Sequence, residues 1–161
     1  MKDAVQGSGV LDHAPAMPPE GGRHKQEVPK MSTNAEFTAQ NLSDLFDAFN
    51  RHDVDAVMSY FAEDCIFNAV GGAQVYGTRF DTPEAIRNAF SGVWAAMPDA
   101  HWAHHSHLVH GDRAVSEWTF SGTNADGSRV EAEGCDLFML RGGKMIRKQA
   151  FRKNRPLLSA K

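Results

Sequence analysis

The stretch HWAHHSHLVHGD, residues 101–112, carries five histidines within ten positions. An imidazole can act as a general acid or base near neutral pH, and it is also a common metal ligand. In a strand, successive side chains point to opposite faces, and the more apolar face of this stretch would hold Trp102, His104, Ser106 and Leu108. We therefore predict that His104 faces a pocket, unless a bulge before the following turn brings His107 inward instead.

The alternative use of these histidines is a metal site on the opposite face of the same strand. His105 and His107 could chelate an ion there, with His101 as a third ligand. However, no Cys, Asp or Glu at ligand spacing accompanies them, and the sequence indicates no group that would orient the imidazoles. We therefore predict no metal and no cofactor.

Asp136 is the strongest candidate for proton transfer. The alternation in EGCDLFML places Asp136 and Phe138 on one face of a strand whose two faces are both apolar. Burial disfavours the charged form of a carboxylate, so such a group can donate a hydrogen bond or transfer a proton near neutral pH. The alternative is an ion pair with a basic residue of the next strand, in which the carboxylate serves the structure.

The segment MIRKQAFRK supplies the basic residues for such a pair, since Lys148 and Arg152 share one face of a strand. These cations could pair with Asp136, bind an acidic or enolate-forming substrate, or lie in solvent.

On an earlier strand, Trp118 and Phe120 alternate with polar residues. They would give a flat apolar wall for a ring-shaped ligand, or pack in the core.

The composition excludes several classes of function. The chain has 161 residues, a formal net charge of -3 and a sequence pI of about 6.2, so it lacks the basic surplus of a nucleic-acid-binding protein. No apolar run approaches the roughly 20 residues that cross a bilayer, and the first residues lack the apolar core of a secretory signal. Cys65 and Cys135 are too few for a disulfide framework, which favours a reduced, cytoplasmic setting.

The first part of the chain divides into a tail and a helical segment. Residues 1–32 are rich in Gly, Pro and charge and lack periodicity, which predicts a disordered tail, and Met31 resembles a natural start. Helical spacing of apolar residues then predicts one helix from Phe37 and a second that runs from Asp53 to Phe61.

The rest of the chain predicts an α+β domain over residues 33–156, followed by a short tail at 157–161. CIFNAV is typical of a short strand, and Thr82 before Pro83 begins a third helix. Four antiparallel strands follow, with turns at HGDR, NADG and RGG. We expect a curved sheet that wraps around three helices.

The run from about Leu42 to Arg155 resembles the nuclear transport factor 2-like superfamily, in particular its SnoaL-like and ketosteroid isomerase-like branch. The residues that carry the resemblance are LFDAFNRHDVDAVMSYFAEDCIF, YGTRFDTPEAIRNAF, GDRAVSEWTFSGT and CDLFMLRGGKMIRKQAFRK. The first is similar to the family's helical pair, and the turns in GDRAV and GGKMI are similar to its best-marked hairpins. The resemblance implies a cone-shaped curved antiparallel sheet around three helices, an apolar pocket and a homodimer.

The resemblance also bears on single positions of the site. Asp136 falls where ketosteroid isomerases place the protonated Asp of their oxyanion hole. Elsewhere the sequence departs from the family pattern. Leu45 and Phe90 stand in place of tyrosines, Ala69 in place of the general base, and Ala150 in place of the Asp that epoxide hydrolases and polyketide cyclases of this fold carry.

These observations predict a cofactor-independent acid/base isomerase, cyclase or dehydratase that acts on a small hydrophobic molecule, cyclic or carbonyl-bearing. Asp136 and His104 would be its catalytic residues. The alternative is a non-catalytic module of the same fold that binds an apolar ligand or a partner. The residues expected to form the binding site are Phe61, Phe90, Trp102, Trp118, Phe120, Phe138, Lys148 and Arg152.

Overall fold

A computed structural model describes residues 36–159 of the chain. The tail predicted for residues 1–32 lies outside these residues. In the part that is described, no helix is both long and apolar enough to cross a membrane.

The domain has three helices: α1 (Ala39–Asn50), α2 (Val54–Met58) and α3 (Pro83–Ala96). Helices α1 and α3 pack on the sheet, and α2 packs against both of them. Helix α1 begins at a capping box in which Thr38 and Asn41 satisfy each other's backbone N–H groups. Helix α3 begins at Thr82, whose side chain caps the first turn, with Pro83 at the first helical position. Both helices bury most of the apolar stripe that helical spacing predicts: Leu42, Leu45, Phe46, Phe49, Ile86, Phe90 and Trp94. Val93 and Met97, which the same spacing adds to the stripe of α3, are half-buried.

The sheet has six strands: β1 (Phe61–Asn68), β2 (Arg79–Phe80), β3 (His101–His110), β4 (Arg113–Thr123), β5 (Arg129–Arg141) and β6 (Lys144–Arg152). Their order is β2-β1-β6-β5-β4-β3. The curved sheet is open, with β2 and β3 at its edges. The α+β class with three helices and a curved sheet is thus confirmed.

One strand pair departs from the antiparallel sheet that we expected, because β1 and β6 run parallel. Parallel neighbours need a long connection. Here that connection comprises β2, α3 and the three strands β3 to β5, and it returns the last strand to the side of the first.

The predicted turns between the long strands are confirmed. Gly111 follows β3 with a φ of 57°, and Gly142 and Gly143 join β5 to β6 with φ values of 57° and 73°. A two-residue hairpin loop requires such positive φ angles, which glycine adopts without steric cost. The NADG turn lies between β4 and β5.

The second helix is shorter than predicted, and Phe61 belongs to a strand. Helix α2 ends at Met58, and β1 starts four residues before the CIFNAV segment. The backbone N–H of Met145 donates to the carbonyl of Tyr60, and Phe61 is the register partner of Met145. Pairing with β6 therefore extends the strand towards the helix, and helical spacing alone does not reveal that competition.

The segment after β6 is also tied to the sheet. Arg129 and Leu158 exchange backbone hydrogen bonds of 3.0 and 2.9 Å. The chain beyond the predicted domain boundary therefore pairs with the start of β5.

Candidate functional site

An apolar cavity of about 290 Å³ lies between the helices and the inner face of the sheet. This volume is near the lower end of the roughly 300–1,000 Å³ typical of ligand pockets. Aromatic rings from helices α1 and α3 and from the sheet form its walls, among them Phe49, Phe67, Phe90 and Phe120. The cavity therefore suits a small apolar molecule with one or two rings.

Asp136 and Lys148 form a buried ion pair in the cavity wall. Lys148 Nζ donates to Asp136 Oδ1 at 2.6 Å, and the two side chains are 6% and 1% exposed. The indole Nε1 of Trp118 donates to the other oxygen, Oδ2, at 3.0 Å. Both oxygens thus act as acceptors, as those of an ionised carboxylate do. Of the two basic residues considered for such a pair, Lys148 is the partner.

Aromatic rings surround the rest of the Lys148 ammonium. Its Nζ lies 4.9 Å from the ring centroid of Phe67, 5.9 Å from that of Phe49 and 6.0 Å from that of Phe138. These distances are within the range of cation–π attraction. A charge taken out of water is costly unless it is paired, so the carboxylate and the ring faces together make the buried ammonium tolerable.

Trp118 reaches Asp136 by lying over Gly134. In the sheet, Gly134 is the register partner of Trp118 on one side and of Arg152 on the other. A Cβ atom on residue 134 would be 2.4 Å from Trp118 Cη2 and 2.3 Å from the carbonyl oxygen of Phe151. Only glycine fits there. This role was not predicted from the sequence, where its one signal is an isolated glycine inside a strand.

Arg152 lines the same cavity on the same face of β6, but its surroundings differ from those of Lys148. Its guanidinium carbon lies 5.4 Å from the ring centroid of Phe120. Within residues 36–159 its guanidinium makes no hydrogen bond or ion pair. Partial burial lowers the pKa of Arg152, yet a guanidinium stays charged in proteins.

A bulge in β3 decides which histidines face inward. The pairing with β4 shifts between His104 and Ser106, so His105 is an extra residue that reverses the alternation. His104 and His107 are consequently both half-buried, whereas Ser106 and Leu108 are exposed. The prediction that Ser106 and Leu108 share the face of His104 was wrong for this reason, and His107 takes the inward position that the bulge alternative assigned to it.

The two inward histidines belong to a row of polar side chains. His104 Nδ1 and His107 Nε2 are 2.9 Å apart, and His107 Nδ1 lies 2.9 Å from Ser116 Oγ. At the outer end, His104 Nε2 lies 3.3 Å from Asp47 Oδ1. Burial lowers the pKa of His107, and the neighbouring His104 lowers it further. The row runs from half-exposed Asp47 to Ser116, the register partner of Asp136.

The predicted site residues fall into two groups. Asp136 lines the cavity, and so do six of the predicted binding residues: Phe90, Trp102, Trp118, Phe120, Lys148 and Arg152. Phe61 and Phe138 are buried in the core, and His104 packs against Phe46 of α1, all three outside the lining. Phe46, Phe49 and Phe67 also line the cavity but were not predicted to do so, because their spacing is equally typical of a core.

Two other kinds of chemistry find no support in the described residues. No group of three or more His, Cys, Asp or Glu within residues 36–159 is arranged to hold a metal ion. On the outer face, His105 Nε2 lies 2.8 Å from Thr119 Oγ1. Burial raises the pKa of the Cys65 thiol to about 12 and also raises that of Cys135, so neither is a reactive thiolate at neutral pH.

Comparison with known proteins places these features in a family. The model of a SnoaL-like domain matches residues 42–148. None of the curated proteins matches the sequence. Many solved structures share the fold, and three of them illustrate the degree of similarity.

An NTF2-like protein of unknown function from Mesorhizobium loti is 25% identical, with a TM-score of 0.60 over 72% of this chain and 90% of that one. A second such protein, from Burkholderia pseudomallei, is 18% identical, with a TM-score of 0.64 over 76% of this chain and 92% of that one. A hypothetical protein with a ketosteroid isomerase-like fold from Catenulispora acidiphila, in complex with trimethylamine, is 18% identical, with a TM-score of 0.62 over 71% and 85%.

Proposed function

Because this chain belongs to the SnoaL-like domain family, in which one fold serves several chemistries, we propose its function from the cavity itself. The proposal is a cofactor-independent acid/base enzyme, an isomerase, cyclase or dehydratase, that acts on a small hydrophobic carbonyl compound. The observation that carries it is a carboxylate in an apolar cavity wall, with an ammonium at one oxygen and an indole N–H at the other.

Asp136 would act as the general base. Each carboxylate oxygen accepts one hydrogen bond here and keeps a second lone pair that can take a proton. Removal of a proton next to a substrate carbonyl shifts the C–H electron pair to the carbonyl oxygen and gives an enolate. The Lys148 ammonium, already shielded from water by aromatic rings, would stabilise that negative oxygen.

The three reaction types differ in what happens to the enolate. Return of the proton from Asp136 to another carbon gives an isomer. Expulsion of a β-hydroxyl as water, with the proton from Asp136, gives dehydration. Attack of the enolate carbon on a second carbonyl closes a ring, and the same proton neutralises the resulting alkoxide.

We assign His104 an indirect role, since it lies outside the cavity lining. Together with His107 it links exposed Asp47 to Ser116, which neighbours Asp136 in the sheet. His104 would therefore be a positioning residue that holds this row in one protonation pattern. The variant His104→Gln should lower kcat and change its pH profile, while KM stays the same. An unchanged pH profile would remove His104 from the mechanism.

Hydrogen–deuterium exchange into an enolisable ketone tests the proposal without knowledge of the substrate. Phenylacetone is incubated with the protein in deuterated buffer, and the loss of its α-proton signals is followed by NMR. We expect the protein to accelerate exchange and Asp136→Asn to reduce that acceleration by about 10²–10⁴-fold, the range typical of a general base. The matched control is Asp64→Asn, which removes an exposed carboxylate of β1.

A further variant separates loss of the base from loss of the fold. Asp136→Asn leaves the Lys148 ammonium without its partner, whereas the double variant Asp136→Asn/Lys148→Met leaves no buried charge unpaired. The double variant should be folded and inactive. Exchange at the wild-type rate in a folded Asp136 variant, or no acceleration by the wild type, would refute the proposal.

A binding module of the same fold is the second candidate. It is favoured by the hydrogen bonds from Lys148 and Trp118, which already engage both oxygens of Asp136, and by the position of His104 outside the cavity. This reading predicts that a neutral apolar ligand raises the melting temperature of the wild type and of the double variant equally. An increase in the wild type alone would instead favour a ligand that contacts the ion pair.

We also propose a homodimer that forms through the outer face of the sheet. Leu108, Val115 and Leu137 are register partners across β3, β4 and β5, and Leu108 and Leu137 are 65% and 42% exposed. Neighbouring apolar side chains on a surface commonly mark a contact with another protein. Light scattering after size exclusion should give a dimer mass, and Leu137→Glu should give a monomer. A monomeric wild type would overturn this proposal.

A further inference from the structure

The cavity carries one positive charge that no described residue neutralises. Asp136, Lys148 and Arg152 are the only charged residues that line it within residues 36–159. Asp136 and Lys148 neutralise each other at 2.6 Å. Arg152 has no such partner among these residues, and its guanidinium carbon lies 5.4 Å from the ring centroid of Phe120.

The indole of Trp118 accounts for the isolation of Arg152. In the ladder between β5 and β6, Asp136 faces Ala150, so Lys148 and Arg152 are its two diagonal neighbours. Trp118 lies over Gly134, the register partner of Arg152, and its Nε1 occupies Asp136 Oδ2. The side of the carboxylate towards Arg152 is therefore taken, and Lys148 is left as the cationic partner.

Other carboxylates near Arg152 are engaged elsewhere. Glu117 and Glu133 line a groove on the outer face of the sheet that Arg152 also borders. Glu117 accepts a hydrogen bond from Ser106, and Glu133 is paired with Lys153. The guanidinium thus borders the cavity with its donors available to a ligand.

We infer that the ligand of the cavity is a small amphiphilic monoanion, an aromatic or alicyclic carboxylate whose carboxylate binds Arg152. The inference rests on the proposed function only in taking this cavity as the site. Arginine presents a planar set of donors that matches a carboxylate at two points, and the attraction is strengthened where water is partly excluded. A neutral ligand would leave a partly desolvated cation without a partner.

The placement of Arg152 also orients such a ligand. Arg152 and Lys148 are four residues apart on one face of β6, which corresponds to roughly 13 Å along a strand. The exposed members of the lining are Val70, Gly71 and Arg152, so the cavity opens on the side of Arg152. A carboxylate held at the opening directs the ring, and a carbonyl attached to it, towards the Asp136–Lys148 pair.

Paired probes that differ only in charge test this inference. Cinnamate and cinnamamide have the same ring and chain, and their dissociation constants can be measured by calorimetry or by quenching of tryptophan fluorescence. We expect cinnamate to bind at least about tenfold more tightly than cinnamamide, as a charge-assisted hydrogen bond in a partly dry site allows. Added salt should weaken the binding of cinnamate more than that of cinnamamide.

Variants of residues in β6 test whether Arg152 causes the preference for cinnamate. Arg152→Gln should abolish the preference for cinnamate and leave the affinity for cinnamamide unchanged, whereas Arg152→Lys should keep part of the preference. The matched control is Arg147→Gln, which removes a guanidinium from the outer face of the same strand and should change neither affinity.

The outcomes separate this inference from the proposed function. If cinnamamide binds in the cavity but cinnamate binds no more tightly, or if Arg152→Gln keeps the preference, the anionic ligand is overturned while the cavity remains a ligand site. If neither probe binds to the folded wild type, both the inference and the use of this cavity as a site are refuted.

Discussion

Two ion pairs of this protein have the same N–O distance and lie in opposite surroundings. Lys148 and Asp136 are 2.6 Å apart with 6% and 1% of their side chains exposed, whereas Arg141 and Asp64 are 2.6 Å apart with 61% and 62% exposed. The first pair lies in the cavity wall, and the second joins Asp64 of β1 to Arg141, the last residue of β5. The equal distance therefore allows the effect of burial to be separated from that of distance.

The surrounding medium decides what each pair does. The guanidinium of Arg141 lowers the pKa of the Asp64 carboxyl, but water and salt screen an exposed pair. In the cavity wall, neither charge can be rehydrated if the other is removed. The buried pair thus constrains the protein strongly, and the exposed pair does so weakly. The following predictions proceed from the largest effect expected to the smallest.

Removal of one member of the buried pair should have the largest effect on stability. Lys148→Met keeps the volume but leaves Asp136 as an uncompensated charge, and it should reduce the free energy of unfolding by about 3–5 kcal/mol. The double variant Asp136→Asn/Lys148→Met should recover most of that loss. Urea denaturation measures both values. A single variant as stable as the wild type would show that the pair is not buried in solution.

A smaller loss of stability should follow from a methyl group placed under Trp118. In Gly134→Ala, the new Cβ would be 2.4 Å from the indole and 2.3 Å from the backbone of β6, so one of them must move. Overpacking of this kind costs about 1–3 kcal/mol. The shift should also change tryptophan fluorescence and weaken ligand binding.

Gly92 provides the matched control for that substitution. It lies in helix α3, and a Cβ there would meet no atom within 4 Å. Gly92→Ala should therefore stabilise the protein by roughly 0.5–1 kcal/mol, because alanine is the better helix former. If both alanine substitutions change the stability by the same amount, Trp118 does not approach Gly134 closely.

His107, which is half-buried, should make the stability of the protein depend on pH. Burial lowers its pKa, so the unfolded chain binds a proton more readily than the folded protein does. Its contribution to stability is present above the unfolded value of about 6.5 and is lost as the pH falls towards the lower folded value. The urea concentration at the midpoint of unfolding should therefore decrease as the pH is lowered from 7 to 5. His107→Asn should flatten this slope, while His101→Gln, at an exposed position of β3, should not.

Removal of the exposed ion pair between Arg141 and Asp64 should have the smallest effect on stability. Arg141→Gln should leave the melting temperature unchanged within error, because solvent replaces the lost contact on both sides. A loss comparable to that of Lys148→Met would contradict the conclusion that burial, at equal distance, sets the strength of the two pairs.

Much of this arrangement is local and could be predicted. The alternation along β5 and β6 places Asp136, Lys148 and Arg152 on inward faces, and glycines with positive φ mark the tight turns before β4 and β6. The capped starts of α1 and α3 and their buried stripes follow from the same short-range patterns. These features depend on neighbours within a few residues, so the sequence specifies them directly.

Features that depend on distant residues were decided by the tertiary structure. Periodicity predicted Phe61 as part of a helix, whereas pairing with Met145 made it a strand residue. One extra residue at His105 reversed the inward face of β3 and brought His107 inside. The local pattern contains no sign of the pairing of Phe61, because its partner lies far away in the chain, and it left the bulge in β3 open as an alternative.

The sequence by itself determined that Asp136 lies in an apolar strand of an α+β domain and that Lys148 and Arg152 share one face of the next strand. The tertiary structure decided which base pairs with the acid. Arg152 and Lys148 are equivalent by alternation, but the indole of Trp118, which needs the empty position at Gly134, occupies the side of Asp136 that faces Arg152. The partner of Asp136 is thus decided by how the side chains of three neighbouring strands pack together. A linear pattern of residues does not contain that information.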